Sequence, residues 1–145
     1  MGVDKRILFL CTGASCRSQM ALGWLRHHGR GRLSGAAAGT RPQGLHPMAV
    51  RVMGEVGIDI RDQRSENVRA FLANPPDVVI VVCDRAAETC PSFPGAKKLL
   101  WPFEDPAGWV GPEAEALDHF RRVRDAIGER VAAWVSELEP ALSRG

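Results

Sequence analysis

The chain has no tyrosine, only four cysteines, a net charge of just +2, and no long apolar run. Each shortage excludes something. No stretch approaches the ~18 consecutive apolar residues that a bilayer-spanning helix requires, so no membrane association is expected. A nearly balanced charge creates no broad field to attract nucleic acid or an anionic membrane, so any taste for anions must come from a local site. The cysteines are Cys11, Cys16, Cys83 and Cys90. Structural zinc sites use Cys-x2–4-Cys pairs; here the spacings are Cys-x4-Cys and Cys-x6-Cys, and the first pair sits inside a different motif, while a disulfide framework does not suit a reducing compartment. Internal repeats, low-complexity tracts and linkers are also missing, and 145 residues suit one domain spanning 1–145. The first residues, Met1 to Arg6, are charged and lead straight into an apolar run without a small-residue cleavage site. A secretory signal is therefore not expected, and a cytoplasmic monomer is the default.

What is present alternates between strand and helix patterns. Lys5 to Cys11 (KRILFLC) reads as a buried strand, and Asp77 to Cys83 (DVVIVVC) as a second, β-branched throughout. Leu33 to Ala38 is a weaker strand candidate, and Lys97 to Trp101 a short last one. Between them, Arg17 to His28 carries Met20, Ala21, Trp24 and Leu25 on one helical face, with Gly29 as a stop. A helix opens at His46-Pro47, with proline suited to the first helical position, and ends at Gly57. Ser65 reads as the N-cap of a short helix through Leu72. Glu113 to Leu138 is the longest helix, striped by Leu117, Phe120, Val123, Ile127, Val131, Trp134, Val135 and Leu138. The sum is an α/β fold, with a four-stranded parallel sheet and helices on both faces. Ligands of such sheets bind beyond the carboxyl ends of the strands, where Cys11 and Cys83 both fall.

The strand-to-helix loop Cys11-Thr12-Gly13-Ala14-Ser15-Cys16-Arg17-Ser18 is the chemical centre of the sequence. A loop entering a helix N-terminus turns backbone N–H groups inward and makes a nest for a tetrahedral oxyanion. Gly13 permits backbone geometry that a side chain would resist, and Arg17 offers a fork matched to two oxyanion oxygens. Such a positive setting favours the thiolate of Cys11, and Ser18 is placed to hydrogen-bond it. The bland alternative is a buried cysteine at a strand end with a surface arginine near it.

Thiolate attack on an oxyanion needs a proton donor for the departing oxygen. Asp105, in Trp101-Pro102-Phe103-Glu104-Asp105-Pro106, is the candidate, and Glu104 is the alternative. Trp101, Phe103 and Trp109 are expected to surround the acid and raise its pKa by desolvation. Cys83 and Cys90 read either as a small buried hydrophobe plus an exposed thiol, or as a redox pair. A hydrolase needs one nucleophile, whereas three thiols on one sheet edge suit a relay.

On these residues the chain resembles the thioredoxin-coupled arsenate reductases built on the low-molecular-weight protein tyrosine phosphatase fold. The matching pieces are Cys11-Thr12-Gly13 with Ser15 to Ala21, Cys83 to Pro91, Asp105-Pro106-Ala107, and Phe120 to Asp125. The resemblance implies that Cys11 attacks arsenate while Asp105 protonates the leaving oxygen. Cys83 then attacks the Cys11 sulfur and arsenite departs. Cys90 next moves the disulfide to Cys83–Cys90, which thioredoxin reduces with electrons derived from NADPH, and no cofactor is bound. Cys16 stands outside this relay. Two departures matter. Ala14 replaces the family's usual Asn, and Leu22 replaces a Glu that ligates potassium in some relatives, so no potassium site is expected. The loop should then be held by its backbone and Arg17. The phosphatase branch favours tyrosines beside the acid, and this chain has none, yet phosphatase remains the second reading. A non-catalytic phosphoprotein-binding module and a thiol-based arsenite sensor are the third and fourth.

Overall fold

The computed structural model describes residues 5–29, 32–83, 93–108 and 110–143. Its core is a parallel sheet of five strands: β1 (Lys5–Cys11), β2 (Leu33–Gly39), β3 (Glu66–Asn67), β4 (Val78–Val81) and β5 (Lys97–Leu100). Their spatial order is β3-β2-β1-β4-β5. Strand β1 is central because its apolar run leaves no face for water, and Ile7 to Cys11 are all buried. It pairs with β2 over its whole length and with β4 through Ile7 to Leu10. All four residues of β4 are buried too, as a β-branched strand covered on both faces should be.

The helices are α1 (Arg17–Gly29), α2 (Pro47–Glu55) and α3 (Glu113–Ser143). Helices α1 and α2 both pack on α3 and on each other. Right-handed crossovers explain this layer, because β1 to β2 and β2 to β3 step the same way across the sheet. The return from β3 to β4 reverses direction and so crosses the opposite face, carrying a 3₁₀ turn at Val68–Phe71. Gly128 of α3 lets Trp24 of α1 lie close, since a Cβ there would fall 2.7 Å from the indole. The Trp24 Nε1–H then donates to the Arg124 carbonyl at 3.1 Å. No helix among the described residues is long and apolar enough to cross a membrane.

Three expectations need correction. The sheet has five strands rather than four, because Glu66–Asn67 pairs with Ala38 and Gly39. Ser65 caps no helix; Asn67 does, its Oδ1 accepting from Arg69 N at 2.9 Å, and only a 3₁₀ turn follows. A two-residue strand has no periodicity to read. The last helix also runs to Ser143, beyond Leu138. By contrast, Pro47 does open α2, with His46 as N-cap accepting from Met48 N through Nδ1.

Helix α2 is tied to α3 by charge. The Arg124 Nη1 donates to the Val52 carbonyl, one of the last four of α2, and to Glu55 Oε1, both at 3.0 Å. Such carbonyls have no partner within their helix, so a guanidinium there satisfies them and complements the negative helix end. Arg121 adds a second fork to Glu55 at 2.8 Å. The hydrogen bond from Arg121, with that from Arg124, holds the Glu55 carboxyl at about 2 instead of 4.5. A carboxyl depressed in the folded state contributes stability above its unfolded value and loses it as pH falls toward the folded one. Thermal unfolding followed by circular dichroism should therefore drop more steeply between about pH 4.5 and about pH 2 in the native chain than in Glu55→Gln. Parallel profiles would show that Glu55 contributes no such linkage.

Candidate active site

Residues 12–16 link the end of β1 to the start of α1, and their five carbonyls are all engaged from outside the loop. Thr12 O accepts from Arg41 N at 2.9 Å, Gly13 O from Gln43 N at 2.8 Å, and Ser15 O from His46 N at 3.0 Å. Ala14 O accepts from Gln19 Nε2 at 2.8 Å, and Cys16 O from Met20 N at 2.9 Å. Ser65 Oγ donates to Gly13 O as well, at 3.2 Å. Because a peptide is planar and trans, a carbonyl turned outward sends the adjoining N–H the other way. The loop is thereby bent into a concave nest of donors, the arrangement that receives an oxyanion.

The bend has two steric conditions. Gly39, paired with Cys11 across β1 and β2, lies under the loop. A Cβ there would overlap the Thr12 carbonyl oxygen and come within 2.9 Å of the Cys11 carbonyl. The second condition falls on Ala14, the position where the family's usual Asn is replaced. Ala14 has φ 49°, the only non-glycine residue with positive φ among those described. That left-handed conformation costs alanine roughly 1–2 kcal/mol. Its restraint is Gln19, fully buried, whose Nε2 also donates to Arg64 O at 3.0 Å. Gln63 Nε2 in turn donates to both Gln19 O and Gln19 Oε1 at 2.9 Å. Two glutamines thus brace the turn that was expected to rest on backbone and Arg17 alone.

A cavity of about 540 Å³ opens over the nest, lined by Cys11, Thr12, Gly13, Ser15, Cys16, Arg17, Gln43, Cys83, Asp105 and Ala107. The candidate thiols, arginine and acid therefore meet as the strand ends suggested. Cys11 Sγ is buried and lies 3.1 Å from Ser18 Oγ, so the hydroxyl can donate to a thiolate. Cys83 Sγ is 3.6 Å from Thr12 Oγ1, beside Cys11. Cys16 faces the cavity too, but burial pushes its thiol up to about 11, which keeps it protonated and weakly nucleophilic. Cys90 and Trp109 lie outside the described residues.

Arg17 reaches across the cavity, its Nη1 donating to Phe103 O at 3.0 Å and its Nη2 standing 3.8 Å from Asp105 Oδ2. Among the described residues no aromatic ring encloses Asp105. Its side chain is 51% exposed, while Trp101 turns into the core against Phe9 and Trp134. Glu104 does not line this cavity; its carboxylate meets His119 Nε2 at 3.1 Å instead, so it is no alternative to Asp105. Among the described residues no group of three or more His, Cys, Asp or Glu could hold a metal ion.

Comparison with known proteins places this geometry. The profile of the low molecular weight phosphotyrosine protein phosphatases matches residues 6–144. The chain belongs to this family. Within it, the arsenate reductase of Bacillus licheniformis is 46% identical over 136 residues, covering 93% of this chain and 98% of the relative. The Bacillus subtilis arsenate reductase is 45% identical over 129 residues, 88% of this chain and 93% of its own. A solved arsenate reductase in the phosphate binding state shares 34% identity at a TM-score of 0.74, covering 92% of this chain and 98% of that one.

Sequence reasoning missed Gln43, Gln63 and Gly39, and saw Gln19 only as part of a motif. Nothing in their local pattern marks them, since each meets the loop from another segment. Gly39→Ala should lower affinity for a phosphate or arsenate oxyanion by at least about tenfold and stability by roughly 1–3 kcal/mol, the usual cost of overpacking. Isothermal titration with inorganic phosphate and a denaturant melt would measure both, and unchanged binding would sever Gly39 from the nest.

Proposed function

We propose that the protein is an arsenate reductase that uses Cys11 as nucleophile, Asp105 as acid, and Cys83 and Cys90 as the relay that discharges Cys11. The observation that carries this reading is the meeting of two thiols, Cys11 and Cys83, with Arg17 and Asp105 around one donor-lined cavity. Its curated relatives, named arsenate reductases, and the solved arsenate reductase with bound phosphate support the oxyanion as substrate.

The Cys11 thiolate attacks As(V), and one arsenate oxygen leaves as water with a proton from Asp105. Cys83, as thiolate, attacks the Cys11 sulfur, and the S–As electron pair stays on arsenic, which departs as arsenite, As(III). A Cys11–Cys83 disulfide remains. Cys90 attacks Cys83, freeing Cys11 and leaving Cys83–Cys90 for an external dithiol. Thioredoxin, recharged from NADPH, is the proposed reductant, and no bound cofactor is required. Ser18 assists by hydrogen-bonding the Cys11 sulfur as it is released, and the loop N–H groups with Arg17 hold the oxyanion.

A phosphatase reading shares the first step, and the family profile favours it as a side activity. There the intermediate is attacked by water, and Cys83 is not needed. Cys83→Ser therefore separates the two. It should abolish multiple-turnover arsenite formation while leaving aryl phosphate hydrolysis within about twofold of native, whereas Cys11→Ser should lose both by roughly a factor of 10³ or more. Equal loss of both activities in Cys83→Ser would sink the relay.

A further inference from the structure

The segment carrying Asp105 has open space on both sides. The catalytic cavity lies in front, and a second cavity of about 410 Å³ lies behind, lined by Phe103, Glu104, His119, Arg122, Val123 and Ala126. Trp101 and Pro106 are buried at its two ends and α3 packs on the 3₁₀ turn Pro106–Gly108, so what lies between them is held by a few point contacts. At its base Trp101 N donates to Val81 O at 2.8 Å. On the pocket side Arg17 holds the Phe103 carbonyl. Beyond it, Pro106 is buried at the head of a 3₁₀ turn, and Ala107 N donates to Asp105 Oδ1 at 3.0 Å.

On the rear side a polar bridge joins the loop to α3. Glu104 Oε1 meets His119 Nε2 of α3 at 3.1 Å, and His119 Nδ1 lies 3.4 Å from Arg122 Nη2. His119 is buried and Glu104 is largely exposed. The order of donors is set by chemistry. A guanidinium can only donate, so Nδ1 facing Arg122 is the accepting nitrogen and Nε2 carries the proton that Glu104 accepts. We infer that Arg122, His119 and Glu104 form a latch that fixes the acid loop against α3 and so positions Asp105 over the Cys11 nest.

The inference rests on Asp105 being the acid, and makes Glu104 and His119 positioning residues that touch no substrate. An exposed carboxylate contributes little to global stability, so its loss should act on loop placement. A misplaced acid weakens proton transfer in the transition state while leaving oxyanion binding to the nest and Arg17 largely intact.

The test is steady-state arsenate reduction by the full chain with dithiothreitol as reductant, reading arsenite. Glu104→Ala and His119→Leu should each lower kcat by roughly three- to tenfold at nearly constant KM, a part of what a general acid supplies. His119→Gln, whose amide can still donate to Glu104, should recover most of the rate. The double variant should be no worse than either single one, because both remove the same bridge. Asp105→Asn serves as reference, and thermal melts establish that each variant is folded. Loss in Asp105→Asn with native kcat in folded Glu104→Ala would overturn the latch alone. Additive losses, or a change confined to KM, would overturn it as well. An Asp105→Asn enzyme as fast as native would remove the acid assignment, and the latch with it.

Discussion

Everything chemical in this protein depends on the outward pull on five consecutive carbonyls. An anion-binding loop must present several N–H groups to one point, and the chain does not adopt such a bend unaided. Ala14 sits in a conformation that alanine avoids, held by Gln19 of α1, while donors from later segments hold the carbonyls on either side. Backbone N–H groups of Arg41, Gln43, His46 and Met20 and the Gln19 amide each anchor one carbonyl, and Ser65 Oγ adds a second bond to Gly13 O. Several modest bonds, each worth ~1 kcal/mol net, together outweigh the local strain.

Those anchors are themselves placed by the sheet and its helices. His46 caps α2, so the helix that supplies the donor to Ser15 O is the one that Arg121 and Arg124 fasten to α3. The ring of His46 also rests on Phe120 of α3, with centroids 5.0 Å apart. The arginine-rich stretch from Phe120 to Asp125 thus lies remote from the cavity and still supports its floor. Helix α3 also supplies His119 to the segment that holds Asp105. One helix is therefore in contact with the supports of both halves of the site.

Much of this was legible along the chain. Apolar runs at β1 and β4 are buried throughout, and their periodic partners α1, α2 and α3 lie where the stripes and the Pro47 signal put them. The loop at Cys11, its following helix and the position of Asp105 were readable as well, because each is a local pattern with a chemical reason. The strand ends also placed Cys83 beside the Cys11 loop, and both line the same cavity. The illegible parts share one property: β3 is too short to show a period, and the demand on Gly39 comes from a loop 23 or more residues earlier in the chain.

The sequence by itself determined which elements form and which reactive groups the site contains, because strand runs, helix stripes and the Cys-to-Ser18 loop are all encoded among near neighbours. Only the tertiary structure decided how those groups are aimed. It put the left-handed φ at Ala14, added the Gln19–Gln63 brace to the backbone bonds that hold the loop, and left the Asp105 side chain half-exposed. It also turned Glu104 away toward His119. The physical reason is the same in each case. A hydrogen bond or a steric overlap depends on where two atoms finish in space, and partners drawn from separate strands and helices leave no spacing in the chain from which that position can be read.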